Sequence, residues 1–328
     1  MSQPPSQRSP KFARLLNTFG PFIGLMLVIG LFAASNEVRP YFLTGANFKI
    51  ILTQTVIVAI GALGMTLIIV SGGIDLSVGS AVALTSVTGA MMVLKHPESA
   101  PQAALCTVLL GGVIGLVNGA VIAGFRMLPF IVTLGMMGIA RGTAKWMAQN
   151  QTVNSPENLI NKVMELRDPD HLLPLPYGVW LAVALAIGTS ILLNRTIFGR
   201  YVFAIGSNEA TARLCGIRVP LFKVGIYTLA GLFFGVSGLM QLSRLTQGDP
   251  TVAIGLELDI IASVVIGGAS LSGGTGSILG SMIGALIMAV LRNGSNQMGW
   301  PNYMQEIIIG VVIILAVGVD KLRQARNS

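Results

Sequence analysis

Six polar side chains interrupt long apolar runs of this 328-residue sequence and are its clearest candidates for chemistry. Each carries an amide or a hydroxyl group, which can exchange hydrogen bonds with an uncharged polar molecule. The six residues are Gln54, Thr66, Asn118, Thr133, Gln241 and Asn293. We predict that they line a path through the protein. The alternative for each is a hydrogen bond between two membrane helices, worth about 0.6 kcal/mol.

The sequence offers little for catalysis or metal binding. His96 and His171 lie in polar connections and not in apolar runs, so neither is placed to act as the base of an intramembrane serine hydrolase. Cys106 lies in an apolar run and Cys215 in a basic segment, which disfavours a disulfide. We therefore expect no catalytic residue, no metal site and no cofactor in this chain.

The elements that position the six polar residues must be membrane helices. Of the residues, 53% are hydrophobic and only 10% charged, against about 25% charged in a soluble domain. Too few polar side chains remain to cover a surface in water. At about 20 residues per span, the chain has room for eight to ten helices and no separate catalytic domain. The charge of +8 forms no stripe with interleaved aromatic residues, so nucleic acid is not a predicted partner.

Charge-free stretches locate the spans, because a charge at mid-bilayer costs several kcal/mol. The charge-free stretches are residues 15–36, 50–74, 76–94, 99–125, 171–194, 224–243 and 260–291. A weaker span at 130–148 carries Arg141 and Lys145 toward one end, and the span at 303–319 is the last. The stretch 260–291 is too long for one span and is broken by glycines, so we divide it in two. The sequence therefore predicts an all-α polytopic membrane protein with about ten transmembrane helices.

The basic residues predict the orientation, because cytoplasmic loops hold an excess of Lys and Arg. With the N-terminus inside, the inner side carries twelve basic and three acidic residues, and the outer side nine basic and ten acidic. We predict one transmembrane domain, 1–328, with both termini cytoplasmic. Its predicted parts outside the membrane are an N-terminal tail at 1–14, an outer loop at 149–176, an inner loop at 194–223 and a C-terminal tail at 320–328.

Two glycine-rich segments, 72–79 and 267–274, match at a constant offset of 195 residues. Glycine permits a tight reversal of the backbone, so we predict two inner turns within an internally repeated core. We expect Asp75 or Ser77 to cap the following helix. The residues assigned to these turns are Gly72, Gly73, Asp75, Ser77, Gly79, Gly267, Gly268, Ser272 and Gly274. The alternative is two unrelated hairpins of closely packed small residues.

The inner loop 194–223 holds five basic residues and a short predicted helix. Asn208 can begin this helix as its N-cap and Gly216 can end it. The helix and its flanks comprise Gly206, Asn208, Glu209, Ala210, Ala212, Arg213, Leu214 and Gly216. It is suited to dock in a groove on a cytoplasmic partner. Alternatively, its arginines hold an amphipathic loop on anionic lipid headgroups.

The run 61–79 resembles the signature of the ribose-type permeases of bacterial ABC sugar importers. The segment 206–217 is similar to the coupling segment of that family, although family members usually have serine where this chain has Cys215. The turn at 267–276 and the span at 303–320 also resemble the family. The resemblance therefore covers nearly the whole chain.

The resemblance implies a permease subunit that passes a monosaccharide across the bacterial cytoplasmic (inner) membrane. It implies a second permease subunit, identical or not, a periplasmic sugar-binding protein outside, and ATPase subunits that grip the helix at 208–216 inside. The sequence contains no Gly-x-x-x-x-Gly-Lys-[Ser/Thr] loop for nucleotide phosphates. We therefore expect ATP and Mg to be bound by the partner ATPase.

Two other transport classes remain open. An ion-coupled secondary carrier would use the same kind of repeated core but needs buried carboxylates for its ion. The acids that could serve map near span ends: Glu37, Asp75, Glu98, Glu257, Asp259, Glu306 and Asp320. A branched-chain amino acid ABC permease would share a related architecture.

Overall fold

The computed structural model describes residues 10–166 and 174–325 as a bundle of helices. Predictions for residues 1–9, 167–173 and 326–328, including the start of the predicted span at His171, lie outside the described residues. The helices are α1 (Pro10–Ala33), α2 (Arg39–Phe42), α3 (Gly45–Val70), α4 (Val78–Lys95), α5 (Ala100–Phe125), α6 (Pro129–Met147), α7 (Tyr177–Arg195), α8 (Ile197–Ser207), α9 (Glu209–Leu214), α10 (Val219–Leu245), α11 (Leu256–Ile266), α12 (Ile278–Gln297) and α13 (Asn302–Ala325). Short 3-10 helices lie at Pro97–Ser99 and Asn161–Val163, and two strands, β1 (Val153–Asn154) and β2 (Gln247–Gly248), pair antiparallel.

The predicted class of an all-α, multi-pass membrane protein is confirmed. Across residues 10–166 and 174–325, six helical stretches are long and apolar enough to cross a bilayer. They are α3, α4, α5 with the short helix before it, α7, α10 and α12. The described apolar parts of α1 and α13 are shorter, and α6 carries Arg141 and Lys145. The total of ten spans stays a prediction.

The prediction of two spans within 260–291 was wrong in one respect, because α11 is only half a span. It has 11 residues and so a length of about 16 Å, against about 30 Å for the hydrocarbon core. The chain from Asp249 to Gly255 that leads into α11 is not helical. Ala253 and Gly255 in this segment have positive φ angles of 60° and 81°. A charge-free stretch locates apolar chain but does not show where the helix within it begins.

The start of α4 lies inside the bundle and not at the inner surface that was predicted for Gly79. A Cβ placed on Gly79 would lie 2.5 Å from Ala253 O and would collide with the Glu257 carboxylate. Val78 packs near Gly61, which is nine residues or about 14 Å before the end of α3. The chain after α3 therefore returns into the bundle before α4 starts. The first turns of α4 and α11 meet there.

Helix α3 forms the centre of the bundle, with nearly all of its residues after Gln54 buried. Helices α5 and α10 make the closest helix pair beside it. A Cβ on Gly115 would lie 3.0 Å from Gly231 Cα and would collide with Tyr227 O, and one on Gly111 would lie 2.6 Å from Gly235 Cα. Small residues allow such close approach of backbones between membrane helices.

The bundle has two distinct ends. At the end where α9 lies, called the α9 end below, the chain before α9 touches the last residue of α3, Val70. At the opposite end, Gln297 at the end of α12 donates a hydrogen bond from Nε2 to Asn47 Oδ1 near the start of α3, at 2.7 Å. The pair β1 and β2 joins the loop after α6 to the segment after α10 at this opposite end.

Candidate functional site

The short helix predicted at 208–216 is present as α9. The Asn208 side chain accepts a hydrogen bond from the Thr211 backbone N–H at 2.9 Å, which satisfies one of the free amides of the first turn. The chain leaves the helix at Gly216 with a φ angle of 83°. The predicted N-cap and glycine stop are confirmed.

One face of α9 packs on the bundle and the other is exposed. Ala212 is buried against Ile205 and Val219, whereas Leu214 is 89% exposed. Ala210 is exposed as well. An apolar side chain with so little contact to its own chain is available to a partner surface.

Glu209 joins α9 to the start of α10. Its carboxylate accepts hydrogen bonds from Arg213 Nη2 at 2.5 Å and from Lys223 Nζ at 2.7 Å. Partial burial would raise the pKa of Glu209, but these two bonds outweigh it, so the pKa lies below its ordinary value. The position of α9 is thus linked by charge to the first turn of a long helix.

Three glycines bring the segment before α9 into contact with both glycine-rich segments, and we call them the glycine junction: Gly72, Gly206 and Gly273. A Cβ on Gly273 would lie 2.6 Å from Gly206 O and 2.9 Å from Gly72 Cα. One on Gly206 would lie 2.7 Å from Gly274 N and would collide with Val70 O. Gly274 N–H also donates to Val70 O at 2.8 Å. Sequence reasoning treated these segments separately and missed this contact, which only the folded chain creates.

The two glycine-rich segments end their preceding helices in the same way. Gly72 after α3 and Gly268 after α11 adopt left-handed conformations, with φ angles of 83° and 93°. In each case the next backbone N–H returns to the carbonyl five residues earlier, as in a Schellman motif. These positions are 196 residues apart, so the predicted offset of 195 was wrong by one for the helix ends.

The segment from α3 to α4 is held by a buried polar cluster. Asp75 Oδ1 accepts hydrogen bonds from the Ser77 backbone N–H at 2.7 Å and from Ser77 Oγ at 2.6 Å. Asn118 Nδ2 donates to Ser77 Oγ at 3.1 Å and to Asp75 Oδ2 at 3.3 Å. No side-chain hydrogen bond caps α4, so the expectation that Asp75 or Ser77 does so was wrong.

The corresponding turn in the second segment uses serine. The Ser272 backbone N–H donates to Ser270 Oγ at 3.2 Å, which matches the bond between Ser77 and Asp75 at the predicted offset of 195. Ser277 then caps α12 by accepting from the Gly280 N–H at 3.3 Å. The local turn is shared, whereas the continuation into the next helix differs.

Four of the six predicted path residues make hydrogen bonds within the protein instead of lining a cavity. Asn118 and Thr133 hold the segment before α4, because Thr133 Oγ1 accepts from the Leu76 N–H at 3.1 Å. Thr66 Oγ1 lies 2.7 Å from Ser281 Oγ between α3 and α12. Asn293 Oδ1 accepts from Gln297 Nε2 at 3.2 Å. The bond between Thr66 and Ser281 is the alternative that the sequence left open, a contact between two helices, whereas Asn293 bonds within its own helix and Asn118 and Thr133 bond the segment before α4.

The other two, Gln54 and Gln241, face a cavity of about 310 Å³ between α3, α10, α11 and α12. The charged residues Arg244, Asp259 and Arg292 also line it. A larger cavity of about 1070 Å³ lies at the opposite end beneath the loop 157–166. Gln54 and Arg244 line both cavities, so the two adjoin.

The charged members of the smaller cavity were not predicted. Arg292 Nε and Nη2 donate to Asp259 Oδ2 at 2.7 and 2.6 Å, and Asp259 is 2% exposed. Asp75 is buried as well, and both acids lie near helix ends as predicted, but the sequence did not show that these ends are buried. Both were predicted at span ends because a charge at the centre of the membrane is costly. A pairing partner within reach offsets that cost.

Fold and site together define a multi-pass membrane protein with a short exposed helix at one end and polar cavities toward the other. Among the described residues, no three His, Cys, Asp or Glu side chains come together as a metal site. The family described as "Branched-chain amino acid transport system / permease component" matches residues 47–317. The chain belongs to this family of transport permeases.

Related proteins of established name are sugar permeases. The chain is 40% identical over 300 residues to the ribose import permease protein RbsC of Escherichia coli (strain K12), covering 92% of this chain and 93% of the relative. It is 36% identical to RbsC of Bacillus subtilis (strain 168), covering 97% of both. It is 34% identical to the L-arabinose ABC transporter permease protein AraH of Azospirillum brasilense, covering 92% and 87%. Comparison with solved structures finds no match.

Proposed function

We propose that this chain is the translocation subunit of an ABC importer that passes a monosaccharide from a periplasmic binding protein into the cytoplasm. The observation that carries the coupling mechanism is the glycine junction. Gly206 is the second-to-last residue of α8 and lies three residues before the start of α9, and it touches the segments that follow both α3 and α11. A displacement of α9 would therefore reach both glycine-rich segments, because the backbones at the glycine junction are in direct contact and no space between them could absorb the movement.

We assign α9 as the docking element for the ATPase subunit. Its exposed face presents Ala210 and Leu214, and a small apolar face of this kind suits a groove on a partner. The ATPase would bind ATP and Mg, while this chain supplies no hydrolytic residue. A second permease subunit and a periplasmic binding protein complete the proposed complex, and the bacterial inner membrane is its proposed location.

A sugar is favoured over an amino acid as cargo. The named relatives reported above are ribose and arabinose permeases. An amino acid carries a carboxylate and an ammonium group, each of which would need a partner away from water. Asp259, the one carboxylate that lines the smaller cavity, already pairs with Arg292 through Oδ2, which leaves a single oxygen and no full counter-charge for an ammonium group. The family description nevertheless makes a branched-chain amino acid the second candidate.

The function is tested by uptake of radiolabelled sugars into cells that express this chain with an ATPase and a binding protein. We expect uptake of at least one of D-ribose, L-arabinose, D-fructose and D-galactose, and no uptake once the ATPase is removed. Uptake that persists without the ATPase, driven by an ion gradient, would establish the secondary-carrier alternative. Uptake of leucine in place of every sugar would establish the amino acid alternative.

The docking assignment is tested with two exposed leucines. Leu214→Ser removes the apolar contact on α9, and Leu221→Ser changes an exposed leucine on the first turn of α10. We expect the first change to weaken binding of the ATPase about tenfold, as for an interface anchor, and the second to leave it within about twofold. Copurification of the ATPase with each variant measures this. Equal effects of the two changes would contradict the assignment.

A further inference from the structure

We infer that the cavity between α3, α10, α11 and α12 is a monosaccharide site within this chain, at which Gln54, Gln241 and Asp259 hydrogen-bond the hydroxyl groups of the passing sugar. This inference rests on the proposed function and adds to it a place and a set of residues. At about 310 Å³, the cavity falls at the lower end of the roughly 300–1,000 Å³ typical of small-molecule sites.

The two glutamines are the first support. Gln241 is only 8% exposed, yet within residues 10–166 and 174–325 neither its amide nor that of Gln54 has a protein hydrogen-bond partner. Neither amide is among the fully buried atoms that lack a partner, so both are open to a molecule that enters the cavity. Two primary amides that face one cavity can each donate to and accept from adjacent hydroxyl groups, which are the groups a sugar offers.

Asp259 gives the second support. Both bonds from Arg292 go to Oδ2, and the other carboxylate oxygen, Oδ1, is buried with no hydrogen-bond partner in the described chain. Asp259 lines the same cavity as the two glutamines. Arg292 fixes the carboxylate in place, and Oδ1 is left without a donor beside the cavity. A charged acceptor makes a stronger bond than a neutral one.

The backbone around the cavity gives the third support. Ala253 and Ile254, in the non-helical stretch before α11, form part of its lining. Irregular backbone at membrane depth is tolerated only where protein or a water-filled cavity satisfies its polar groups. Arg141 donates hydrogen bonds to the carbonyls of Pro250 and Val252 at 2.9 and 2.6 Å, which anchors the stretch. Broken helices of this kind form substrate sites in other transporters.

The charges along the two adjoining cavities nearly balance. Four carboxylates face three cations among the described residues that line the two adjoining cavities. The acids are Glu98, Glu157, Glu165 and Asp259, and the bases are Lys162, Arg244 and Arg292. At the smaller cavity itself Asp259 pairs with Arg292 and Arg244 is one cation in excess, so a neutral sugar is favoured there by its hydroxyl groups and not by charge. A neutral polyol needs only the hydrogen-bonding groups that are present.

The test compares Gln54→Leu and Gln241→Leu with Gln102→Leu, a change of an exposed glutamine on α5 that lines neither cavity. Because the two cavity amides have no protein partner, replacing them leaves no new unsatisfied group. We expect each cavity change to lower the maximal rate of ATP-driven sugar uptake about three- to tenfold. The sugar concentration at half-maximal rate should stay constant, because the binding protein sets it. Gln102→Leu should leave both values within about twofold.

A second readout does not depend on the transport rate. The exposed cysteines Cys106 and Cys215 are replaced by serine, and Gln241→Cys or Gln102→Cys is then labelled with a thiol reagent in the assembled complex. We expect sugar-loaded binding protein to slow labelling at position 241 and not at 102. Cavity variants that transport like Gln102→Leu, with no protection at 241, would overturn the site and leave the proposed function standing. No sugar uptake by the unsubstituted complex would overturn both.

Discussion

The glycine-packed region of this molecule has backbones in direct contact, whereas the cavity region has side chains that border open space. In the first, α5 against α10 and the glycine junction at the α9 end, backbones touch and a single added carbon has no space. In the second, Gln54 and Gln241 face open volume without a protein partner, and Oδ1 of Asp259 is buried beside them without one. We propose that the first region transmits displacement and that the second keeps polar groups available for a passing ligand.

The largest expected effect is on folding, from Gly115→Val in the glycine-packed region. The new side chain would meet the backbone of α10 at Tyr227 and Gly231, and overpacking of this kind costs about 3 kcal/mol. Thermal unfolding of the purified protein in detergent measures the loss. Gly124→Val on the same helix has open space around it and is the control. Similar melting temperatures for the two variants would mean that the contact of α5 with α10 is not tight.

A smaller loss is expected from Asp75→Ala. Ser77 and Asn118 would both lose their buried acceptor, which costs about 1–3 kcal/mol. Asp75→Asn keeps one oxygen acceptor and should recover part of the loss. Unfolding in detergent distinguishes them. If the alanine variant is as stable as the unsubstituted protein, the cluster does not hold the segment before α4.

The smallest effect concerns pH and Glu209. Its pKa lies below the ordinary value in the folded protein, so its contribution to stability is present above the unfolded pKa of about 4.3 and is lost as pH falls through the folded pKa. Because the pair is partly exposed, we expect less than about 0.5 kcal/mol. Melting temperatures between pH 7 and about pH 3 should fall less in Glu209→Gln than in the unsubstituted protein, with the difference below the unfolded pKa. Parallel curves would contradict the role of this carboxylate.

Much of the fold could be predicted from where charges are absent. The stretches 99–125 and 224–243 correspond closely to α5 and α10, because the cost of a charge in lipid is a local property of sequence. The half-span α11 could not be predicted, because its start depends on contact with α4 at Gly79. The helix ends at Gly72 and Gly268 are 196 residues apart and not 195. Backbone hydrogen bonds define where each helix ends, and residue type alone does not show them.

The candidate site could be predicted only in part. Polar residues in apolar runs include both groups that pack and groups that face a cavity, and Thr66 and Gln241 are equivalent by sequence pattern. Their difference lies in tertiary contact, because Thr66 meets Ser281 and Gln241 meets open volume. Arg292 was missed because its partner, Asp259, is 33 residues away in the chain. The Asn208 cap and the Gly216 stop were predictable because both are local.

The central claim, that displacement of α9 reaches the core through the glycine junction, is tested most directly by Gly206→Val in proteoliposomes that hold the whole complex. ATP hydrolysis and sugar uptake are measured together, with Gly225→Val, which has open space around it, as the control. We predict that hydrolysis continues while the sugar transported per ATP falls roughly tenfold, equivalent to about 1.4 kcal/mol of lost coupling. An unchanged ratio of sugar to ATP in Gly206→Val would contradict the claim.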